Sequence, residues 1–532
     1  MGSLCIERLA KARMSGNTAP SSSKDDLHTR FVTFNVNGLR TFFHYQPFSD
    51  MNQSLEKVFA YLDADIITLQ ELKTDRHSIT RWGKVDGFYS FISIPQTKRG
   101  YSGVGCWVRI LPKEHPLSGA LEVVKAEEGI TGLLSVKTNR TTVCYRDDPI
   151  GSIGGYESLG IDEEDDKEGL HLDSEGRCVM VELACNVVVI SVYCPANSSH
   201  SVEGASFRIK YLKVLFKRIR NLYKMGKQVV LMGDINVCRD LIDHAEALEQ
   251  ASVKISNNTT GVEIESTFPT ECKQFILNPD TPFRRMLNQM LADSIMAEFA
   301  RDGILWDSTR VMQTRKRLKM YTVWNTLKNS RPVNYGSRID YVLCTESLKK
   351  LITSADILPD VTGSDHCPVY ADFDLRSLAN NLPPANGKIP RFEARYKFEL
   401  MHRNVLEMFG KNGTNRGTAL GEESKYKVHK KPVVSAKASK LVQVAKLPEE
   451  SLTAGDSVTI GQTAMARSLP KREYSKLPVK ESGAPPLCKH GLEAIQRTSR
   501  TQANPGKKFW ICKLPKGRSG DKDSSCGFFQ WA

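Results

Sequence analysis

The sequence lacks any apolar run long enough to cross a membrane. Its strongest apolar stretch, residues 187–192, is short and is typical of a buried strand. A secretory signal is also missing, and the 13 cysteines are scattered singly rather than at the spacings of a disulfide framework. These absences argue against an integral membrane protein and a disulfide-stapled secreted domain, and they favour a reducing compartment.

Net charge is nearly absent from the front of the chain and concentrated in its tail. Residues 1–375 contain 45 Lys and Arg against 47 Asp and Glu, a net charge of −2, whereas residues 376–532 contain 29 against 13, a net charge of +16. Such a tail is typical of a protein that binds a polyanion, because Lys and Arg displace counterions from phosphates. The alternative is a solvated, disordered run of charge, and charge alone does not choose between them.

The chain divides by pattern into four regions. Residues 1–28 are expected to form a disordered leader, in which Arg8 and Arg13 leave a mitochondrial presequence open. From 29 to 375, short β-branched runs alternate with helical patterns, which predicts a layered α/β domain. Residues 376–484 are predicted to be a disordered basic linker. Residues 485–532 are predicted to be a small module that needs a stabilising metal or cross-link to fold.

Within the α/β region, strands are predicted at residues 31–36, 65–69, 103–108, 178–183, 187–193, 228–233, 339–343 and 369–373. An amphipathic helix packed on the sheet is predicted by apolar residues at near-helical spacing, namely Phe207, Tyr211, Leu215, Ile219 and Leu222. Residues 112–175 and 251–272 fit neither pattern, so they are interpreted as insertions in surface loops.

Carboxylates and amides follow several predicted strands. The motifs are Asn35-Val36-Asn37-Gly38, Gln70-Glu71-Leu72-Lys73, Gly233-Asp234-Ile235-Asn236, Arg338-Ile339-Asp340 and Ser364-Asp365-His366. Because side chains at the carboxyl ends of strands in an α/β sheet converge on one edge, we expect a single site. Oxygen ligands suit a hard cation such as Mg²⁺ in contact with phosphate. Each motif alone would be interpreted as a turn or cap, but the whole set in order favours a site.

The same motifs resemble those of a known family. The likeness to the exonuclease III family of AP endonucleases, within the endonuclease/exonuclease/phosphatase superfamily, rests on Asn35-Val36-Asn37-Gly38-Leu39-Arg40, Leu69-Gln70-Glu71, Tyr193-Cys194-Pro195, Gly233-Asp234-Ile235-Asn236-Val237 and Ser364-Asp365-His366-Cys367-Pro368. It covers residues 29–374 and, with the C-terminal module, is greatest to the second eukaryotic type, as in budding yeast. It implies a four-layer α/β sandwich with AP endonuclease, 3′-phosphodiesterase and 3′→5′ exonuclease activities in DNA base-excision repair.

The resemblance also implies roles for single residues. Glu71 would bind the catalytic metal, with Asn35 and Asn37 beside it. Asp234 would orient or deprotonate the attacking water, and Asn236 would contact the phosphate. These roles fit in-line hydrolysis, which needs an activated water and neutralisation of the charge that develops on the phosphate.

Further roles implied by the resemblance concern the phosphate. His366, oriented by Asp340, would hydrogen-bond the scissile phosphate, and Tyr193 would touch a phosphate oxygen. Arg338 is expected to contact DNA. The set of Mg²⁺ or Mn²⁺ ligands and metal-side residues implied in this way is Asn35, Asn37, Glu71, Asp234, Asn236, Asp365 and His366.

Two positions depart from the family pattern. Many relatives have Asp where this chain has Asn37, and a neutral amide holds a metal less tightly than a carboxylate. Some relatives place a bulky aromatic residue before the Arg-x-Asp strand as a wall for an abasic sugar, whereas Ser337 precedes Arg338 here. We therefore expect weaker metal binding, and 3′-end processing that dominates over cleavage at internal abasic sites.

Soft and imidazole ligands gather near the C-terminus. Four candidates are enough for one tetrahedral Zn²⁺, the alternative being four unrelated residues: Cys488, His490, Cys512 and Cys526. Residues 506–512 and 526–531 resemble the GRF-type zinc finger, with Lys507 where that motif has Arg. The likeness implies binding to single-stranded DNA through Lys507 and Lys508, while the aromatic residues are left open between core packing and base stacking.

The resemblance implies a nuclear protein whose partner is DNA with abasic sites or blocked 3′ ends. Contact with the replication sliding clamp rests on family likeness alone, because Gln443 and Gln462 lack the downstream residues of a clamp-binding peptide. One alternative is another substrate of the superfamily, such as a sphingolipid, an inositol phosphate or a poly(A) tail. The other is a catalytically weak DNA-binding recruiter, in which Asn37 has impaired the metal site.

Overall fold

The computed structural model describes residues 24–96, 98–138, 141–162, 165–380, 382, 388–400, 485–498, 507–514 and 525–531. The chain separates into two compact units, Met1–Ala419 and Leu420–Ala532. Among the described residues, no helix has the length and apolar character needed to span a membrane. Most of the predicted leader, residues 1–23, and most of the predicted linker, residues 401–484, lie outside the described residues.

The described strands are β1 (Thr29–Asn35), β2 (Ile66–Gln70), β3 (Phe88–Ser93), β4 (Val104–Arg109), β5 (Val123–Glu128), β6 (Ser135–Thr138), β7 (Thr141–Cys144), β8 (Cys178–Leu183), β9 (Val187–Tyr193), β10 (Gln228–Asp234), β11 (Leu305–Asp307), β12 (Val323–Trp324), β13 (Gly336–Ser337), β14 (Asp340–Thr345), β15 (Ile352–Ile357), β16 (Val369–Phe373), β17 (Ile495–Thr498), β18 (Lys508–Ile511) and β19 (Phe529–Trp531). The described α-helices are α1 (Leu39–Phe42), α2 (Leu55–Tyr61), α3 (Ile79–Trp82), α4 (Lys167–Asp173), α5 (Val202–Lys224), α6 (Ala245–Gln250), α7 (Gly261–Thr267), α8 (Pro269–Leu277), α9 (Pro282–Asn288), α10 (Ala297–Asp302), α11 (Ser308–Gln313), α12 (Glu346–Lys349) and α13 (Ala394–Lys397).

Two six-stranded sheets form the centre of the first unit. Their strand orders are β15-β16-β1-β2-β4-β3 and β11-β14-β10-β9-β8-β5. One hydrophobic core joins their facing sides, with Phe31 and Val104 from one sheet and Val189 and Val230 from the other. Two further cores cover the outer faces, one beneath α5 and one beneath α1 and α2. The predicted four-layer α/β sandwich is therefore confirmed.

The long amphipathic helix is present as α5. It begins after Ser201, whose side chain accepts a hydrogen bond from the Gly204 main-chain N–H at 2.9 Å. Its apolar stripe, including Tyr211 and Leu215, is buried against β9 and β10, and this burial rather than local propensity holds it in place. The helix follows β9 and leads into β10, so it forms the crossover of a parallel strand pair.

The two segments interpreted as loop insertions contribute regular structure, so that interpretation is corrected. In residues 112–175, β5 pairs with β8 and forms an edge of the second sheet. Its Glu127 is fully buried against Arg218, a compensation that the sequence pattern does not show. In residues 251–272, α7 and the start of α8 bury Ile264 and Cys272 in a small separate core.

The first part of the predicted linker is also ordered. Residues 388–400 pack on the first sheet, with Phe392 and Ala394 buried and Glu393 paired with Phe91 of β3. Lys397 forms an ion pair with Glu128 at 2.7 Å. The prediction of disorder is wrong for this segment because its few apolar residues are buried by distant strands rather than by one another.

Candidate functional site

Five side chains from strand ends and adjoining turns meet where the two sheets face each other. We call them the strand-end site: Asn35, Glu71, Asp234, Asp340 and His366. Parallel pairing of β1 and β2 sets Asn35 beside the residue that precedes Glu71, and antiparallel pairing of β10 and β14 aligns Asp234 with Asp340. The Asn35 Nδ2 spans the sheets, because it donates to Glu71 Oε1 at 3.0 Å and to Asp234 Oδ2 at 2.9 Å.

His366 lies between two carboxylates. Its Nδ1 is 2.9 Å from Asp340 Oδ2 and its Nε2 is 3.9 Å from Asp234 Oδ2. Burial lowers the pKa of the imidazole, but attraction to Asp340 and Asp234 outweighs burial and raises this pKa to about 10. The structure therefore presents a protonated imidazole whose Nδ1–H donates to Asp340 and whose Nε2–H faces the Asp234 side.

Asp234 is almost completely buried. Its Oδ1 accepts a hydrogen bond from the Asn236 main-chain N–H at 2.9 Å. Burial and repulsion from Asp340 raise the pKa of the Asp234 carboxyl to about 8, and together they outweigh His366 and the amide of Asn35. A group with this pKa is suited to exchanging a proton near neutral pH.

Glu71 stays ionised on the other side of the site. Burial raises the pKa of its carboxyl, but hydrogen bonds from Lys73 and Asn35 outweigh burial and lower that pKa. The Tyr193 hydroxyl also donates to Glu71, and burial raises the pKa of the phenol far above its ordinary value. Tyr193 is therefore a neutral hydrogen-bond donor at neutral pH.

Asn236 follows β10 in a left-handed conformation, with φ 56°. Its Nδ2 donates to the Cys194 carbonyl at 2.8 Å, and its own carbonyl accepts from Arg208 of α5. Arg208 also donates to the Ala196 carbonyl, so it ties together the turns that follow β9 and β10. Sequence reasoning missed Arg208, because its partners are main-chain carbonyls that no side-chain motif reveals.

Asn37 and Asp365 form a second pair beside the site. Asn37 Nδ2 donates to Asp365 Oδ1 at 2.9 Å, and the Asn37 Oδ1 accepts a hydrogen bond from Lys73 Nζ. Ser364 Oγ donates to the Asn35 carbonyl at 2.7 Å and lies 3.2 Å from Asp365 Oδ1. The structure thus connects the side chains of the predicted metal-site residues except Asn236, whose side chain donates to the Cys194 carbonyl and which reaches Asp234 only through its main-chain N–H.

Arg331 is a second residue that sequence reasoning missed. Its guanidinium donates to the carbonyls of Ser364 at 2.9 Å and His366 at 3.3 Å, and also to two carbonyls in the preceding turn. It stacks on Trp324, whose main-chain N–H donates to the Asp365 carbonyl at 3.0 Å. The turn that carries His366 is therefore held by a side chain about thirty residues earlier, and no local signal predicts that contact.

The prediction that Arg338 contacts DNA is corrected by its surroundings. Arg338 is fully buried, and its guanidinium lies 2.7 Å from both Asp243 and Asp307. Arg239 shares Asp307 at 3.0 Å. A side chain without exposed surface has nothing to offer a phosphate, so Arg338 supports the start of β14 and with it Asp340.

The C-terminal unit brings its four predicted zinc ligands together. The ligand atoms of Cys488, His490, Cys512 and Cys526 all lie within 4.8 Å of one another. Cys488 and Cys512 are buried, which matches a structural rather than an open catalytic metal position. Sulfur and imidazole donors at this spacing fit one tetrahedral Zn²⁺.

A three-stranded sheet, β17-β18-β19, carries an aromatic face in the same unit. Phe509, Phe529 and Trp531 have ring centroids 5.1 to 5.7 Å apart, and Phe529 and Trp531 are 53% and 44% exposed. Lys507 Nζ lies 5.9 Å from the Trp531 ring. Lys508 is also exposed, but strand alternation turns it to the opposite face from Phe509. The exposed aromatic residues thus form a surface rather than a core.

Two family models match the chain. The Endonuclease/Exonuclease/phosphatase family matches residues 32–366, and the GRF zinc finger matches residues 486–532. Both matches coincide with the parts of the chain that contain the strand-end site and the Cys/His cluster.

Curated relatives and a solved structure resemble the chain over most of its length. The DNA-(apurinic or apyrimidinic site) endonuclease 2 of Saccharomyces cerevisiae is 55% identical over 520 residues, which is 96% of this chain and 98% of that protein. The protein of the same name from Schizosaccharomyces pombe is 30% identical over 557 residues, 94% of this chain and 98% of that protein. The crystal structure of the Xenopus laevis APE2 catalytic domain superposes with a TM-score of 0.52 at 27% identity, covering 70% of this chain and 99% of that one.

Proposed function

Because this chain belongs to the endonuclease/exonuclease/phosphatase family and, within it, to the AP endonuclease 2 proteins, we propose that it uses Mg²⁺ to hydrolyse DNA phosphodiesters chiefly at damaged or blocked 3′ ends. The chain is a DNA repair nuclease with a metal-dependent domain and a GRF zinc finger. The observation that carries the proposed mechanism is the juxtaposition of an ionised Glu71, a buried Asp234 and the Asp340–His366 pair.

The donor set suits Mg²⁺ or Mn²⁺. Glu71 offers a carboxylate, Asn37 offers an amide oxygen, and Asp365 lies beside Asn37. Asn35 turns its amide N–H groups to Glu71 and Asp234, so it orients these carboxylates. Hard oxygen donors of this kind favour a hard divalent cation over a soft metal. When bound, the metal supplies positive charge that polarises the scissile phosphate.

Asp234 is the group that we assign to water activation. The Asn236 N–H and the Asn35 amide fix its two oxygens, so the carboxylate is oriented before substrate arrives. Its raised pKa favours acceptance of the proton that the attacking water gives up. Positive charge bound near Glu71 would shift Asp234 toward the ionised form in which it can act as a base.

His366 and Tyr193 are the donors that we assign to the phosphate. The raised pKa keeps the imidazole protonated at neutral pH, so its Nε2–H can stabilise negative charge that develops on a phosphate oxygen. Asp340 holds the ring by its Nδ1–H. Tyr193 adds a neutral O–H at the Glu71 side.

The preference for 3′ ends is supported by the position of Ser337. Val323 pairs with Ser337 on one side and with His366 on the other, so Ser337 lies one short strand away from the phosphate-binding imidazole. A serine there offers far less surface than an aromatic ring to hold a flipped-out abasic sugar. We infer that internal abasic sites are bound less well than the ends of a strand.

The zinc module is proposed to hold single-stranded DNA on its aromatic face. Phe509, Phe529 and Trp531 can stack on successive bases, and Lys507 can pair with the phosphates beside them. Lys508 is proposed to add attraction from the opposite face. The +16 tail raises the local attraction to DNA, whereas the remainder of the chain is nearly neutral.

A substrate panel tests the proposal. Purified full chain with Mg²⁺ should degrade a 3′-recessed duplex and release a 3′-blocking group faster than it incises an internal abasic site. Asp234→Asn should slow these reactions by roughly 10²- to 10⁴-fold, because it removes the base without changing side-chain size. Asp374→Asn, at an exposed ion pair with Arg376, is the matched control and should leave the rate unchanged.

Three outcomes would contradict parts of this proposal. Equal or faster incision of the internal abasic site would refute the preference for 3′ ends. Wild type and Asp234→Asn that are equally inert with Mg²⁺ and Mn²⁺ would favour the DNA-binding recruiter. Activity on inositol phosphates or sphingolipids instead of DNA would place the chain elsewhere in the superfamily.

We also propose that the protein acts in the nucleus and contacts the replication sliding clamp. Both ideas rest on the family resemblance. Imaging of a fluorescently tagged chain tests the first, and co-purification with the clamp tests the second.

A further inference from the structure

Lys73 places a positive charge inside the proposed metal site. Its Nζ lies 2.8 Å from Glu71 Oε2 and donates a hydrogen bond to Asn37 Oδ1. Both acceptor oxygens belong to residues assigned to the metal. An ammonium group therefore lies where a cation bridging Glu71 and Asn37 would be bound.

The backbone holds Lys73 in this position. Glu71 and Lys73 have φ values of 52° and 46°, a left-handed conformation that is uncommon for residues other than glycine. The Lys73 N–H donates to the Ser102 carbonyl at 2.8 Å, and the Leu72 N–H donates to the Gly103 carbonyl at 3.0 Å. The turn that carries Lys73 is therefore strained and is held by the segment that leads into β4, so Lys73 is less free to move than an ordinary surface lysine.

Asn37 is oriented to complement the ammonium. Because its Nδ2 donates to Asp365 Oδ1 at 2.9 Å, its amide oxygen must face Lys73. If position 37 carried a carboxylate, one of its negative oxygens would lie about 2.9 Å from Asp365 Oδ1. The two carboxylates would repel each other and would need a further cation between them. The neutral amide at this position and the ammonium of Lys73 therefore form one consistent arrangement.

We propose that Lys73 stands in for a second cation, so that the strand-end site binds one divalent ion and binds it weakly. The ammonium shields Glu71 and Asn37 while the metal is absent, and it repels a metal that approaches the same oxygens. This inference deepens the proposed function and rests on it. It adds a second physical cause of weak metal binding to the neutral amide of Asn37.

Titration with Mn²⁺ in the absence of DNA tests the proposal, with free Mn²⁺ counted by electron paramagnetic resonance on full chain prepared with zinc. The Mn²⁺ that wild type binds but Glu71→Gln does not is the Mn²⁺ bound at the strand-end site, and we expect one such ion. Lys73→Met should bind Mn²⁺ at least about tenfold more tightly, because a nearby like charge is removed. Lys73→Arg keeps the charge and should stay close to wild type.

Lys210→Met is the matched control. Lys210 has a similar exposure, 31% against 32%, and a similar ion pair, 3.0 Å from Glu168, but lies on α5. Its substitution should leave Mn²⁺ affinity unchanged. Circular dichroism melts would confirm that each variant is folded before it is titrated.

The outcomes separate this inference from the proposed function. Unchanged or weaker binding in Lys73→Met, or two Mn²⁺ lost in Glu71→Gln, would overturn the role of Lys73 even if the nuclease is active. Tighter binding in Lys73→Met from a chain that cleaves no DNA would support the role of Lys73 and contradict the proposed function. A chain in which neither wild type nor Lys73→Met binds Mn²⁺ would overturn both.

Discussion

The strand-end site and the C-terminal zinc module both bring polar side chains together, but charged side chains are buried in the first and exposed in the second. At the strand-end site, Asp234, Asp340 and His366 are buried, and each has a partner fixed by the fold. In the zinc module, Lys507 and Trp531 are exposed, whereas two of the four Cys/His ligands, Cys488 and Cys512, are buried. The first arrangement suits chemistry on one phosphate, and the second suits tolerant contact with many nucleotides.

The difference has an energetic consequence. A buried charge that loses its partner keeps the whole cost of desolvation, so single substitutions near the strand-end site should have large effects. An exposed aromatic ring or lysine contributes only one of several contacts to the binding free energy for DNA. Single substitutions on the zinc module should therefore have small effects. Four predictions test this contrast, from the largest expected effect to the smallest.

Arg338→Met should lower the free energy of unfolding by about 3–5 kcal/mol, because Asp243 and Asp307 would lose a buried cation. Urea denaturation followed by tryptophan fluorescence measures the change. Arg376→Met removes an exposed ion pair of the same 2.7 Å length and should have a far smaller effect, because solvent screens the two charges. Equal losses in the two variants would remove the contrast between buried and exposed charge.

His366→Gln should lower kcat by roughly 10²- to 10⁴-fold, because the protonated donor to the phosphate is lost. The Kd for DNA should change little, since attraction comes mainly from the tail. Single-turnover cleavage and binding assays on one duplex separate the two quantities. A loss confined to binding would show that His366 holds DNA rather than acting on the phosphate.

Asp340→Asn should remove on the order of 2 kcal/mol of stability at pH 6, with a smaller loss at higher pH. In the folded wild type the pKa of His366 is raised to about 10, above its ordinary 6.5, so the paired imidazolium stabilises the fold fully below pH 6.5. This stabilisation is lost as the pH rises toward 10. Melting temperatures of zinc-loaded chain without added Mg²⁺ or Mn²⁺ should therefore converge for wild type and variant across this range.

Asp374→Asn provides the control for that pH dependence. The Arg376 side chain lowers the pKa of the Asp374 carboxyl to about 2, so this contribution is constant between pH 6 and 10. If the difference in melting temperature between wild type and Asp340→Asn were also constant from pH 6 to 10, this result would contradict a raised pKa at His366.

Trp531→Ala should weaken binding of single-stranded DNA by about 1 kcal/mol, the lower end of the range for one base stacked on an aromatic ring. The rate on a fully base-paired duplex should be unchanged. Tyr223→Ala, at the end of α5 and of similar exposure, is the control and should leave binding unaltered. Fluorescence anisotropy with a labelled oligonucleotide measures both, and equal affinity of Trp531→Ala and wild type would show that the aromatic face does not hold DNA.

The sequence was most informative where a pattern is local. Strands 178–183, 187–193 and 369–373 were predicted with the bounds that the structure has, because their buried apolar runs end in turn residues. The helix α5 was also predicted, although the structure extends it to Val202–Lys224. Edge strands such as β5 and β15 were missed, since half-buried strands with charged residues show no clear alternation.

The site was predicted in composition but not in its supports. Glu71, Asp234 and His366 follow strands as oxygen- and nitrogen-bearing motifs, so their convergence could be expected from the rules of α/β sheets. Arg208 and Arg331 hold main-chain carbonyls of distant turns, and such contacts leave no motif. The expectation that Arg338 contacts DNA was wrong because its burial is not visible in the sequence.

The amino-acid sequence by itself determined the family, the layered α/β fold, the strand-end carboxylates and the Cys/His ligands, because residue types and their local spacing specify these features. Only the tertiary structure decided that Arg338 is buried, that residues 388–400 pack on the first sheet, and that Lys73 lies against Glu71 and Asn37. Each of these depends on which residues distant in the chain are brought together. Burial and charge pairing are properties of that assembled environment rather than of any local segment.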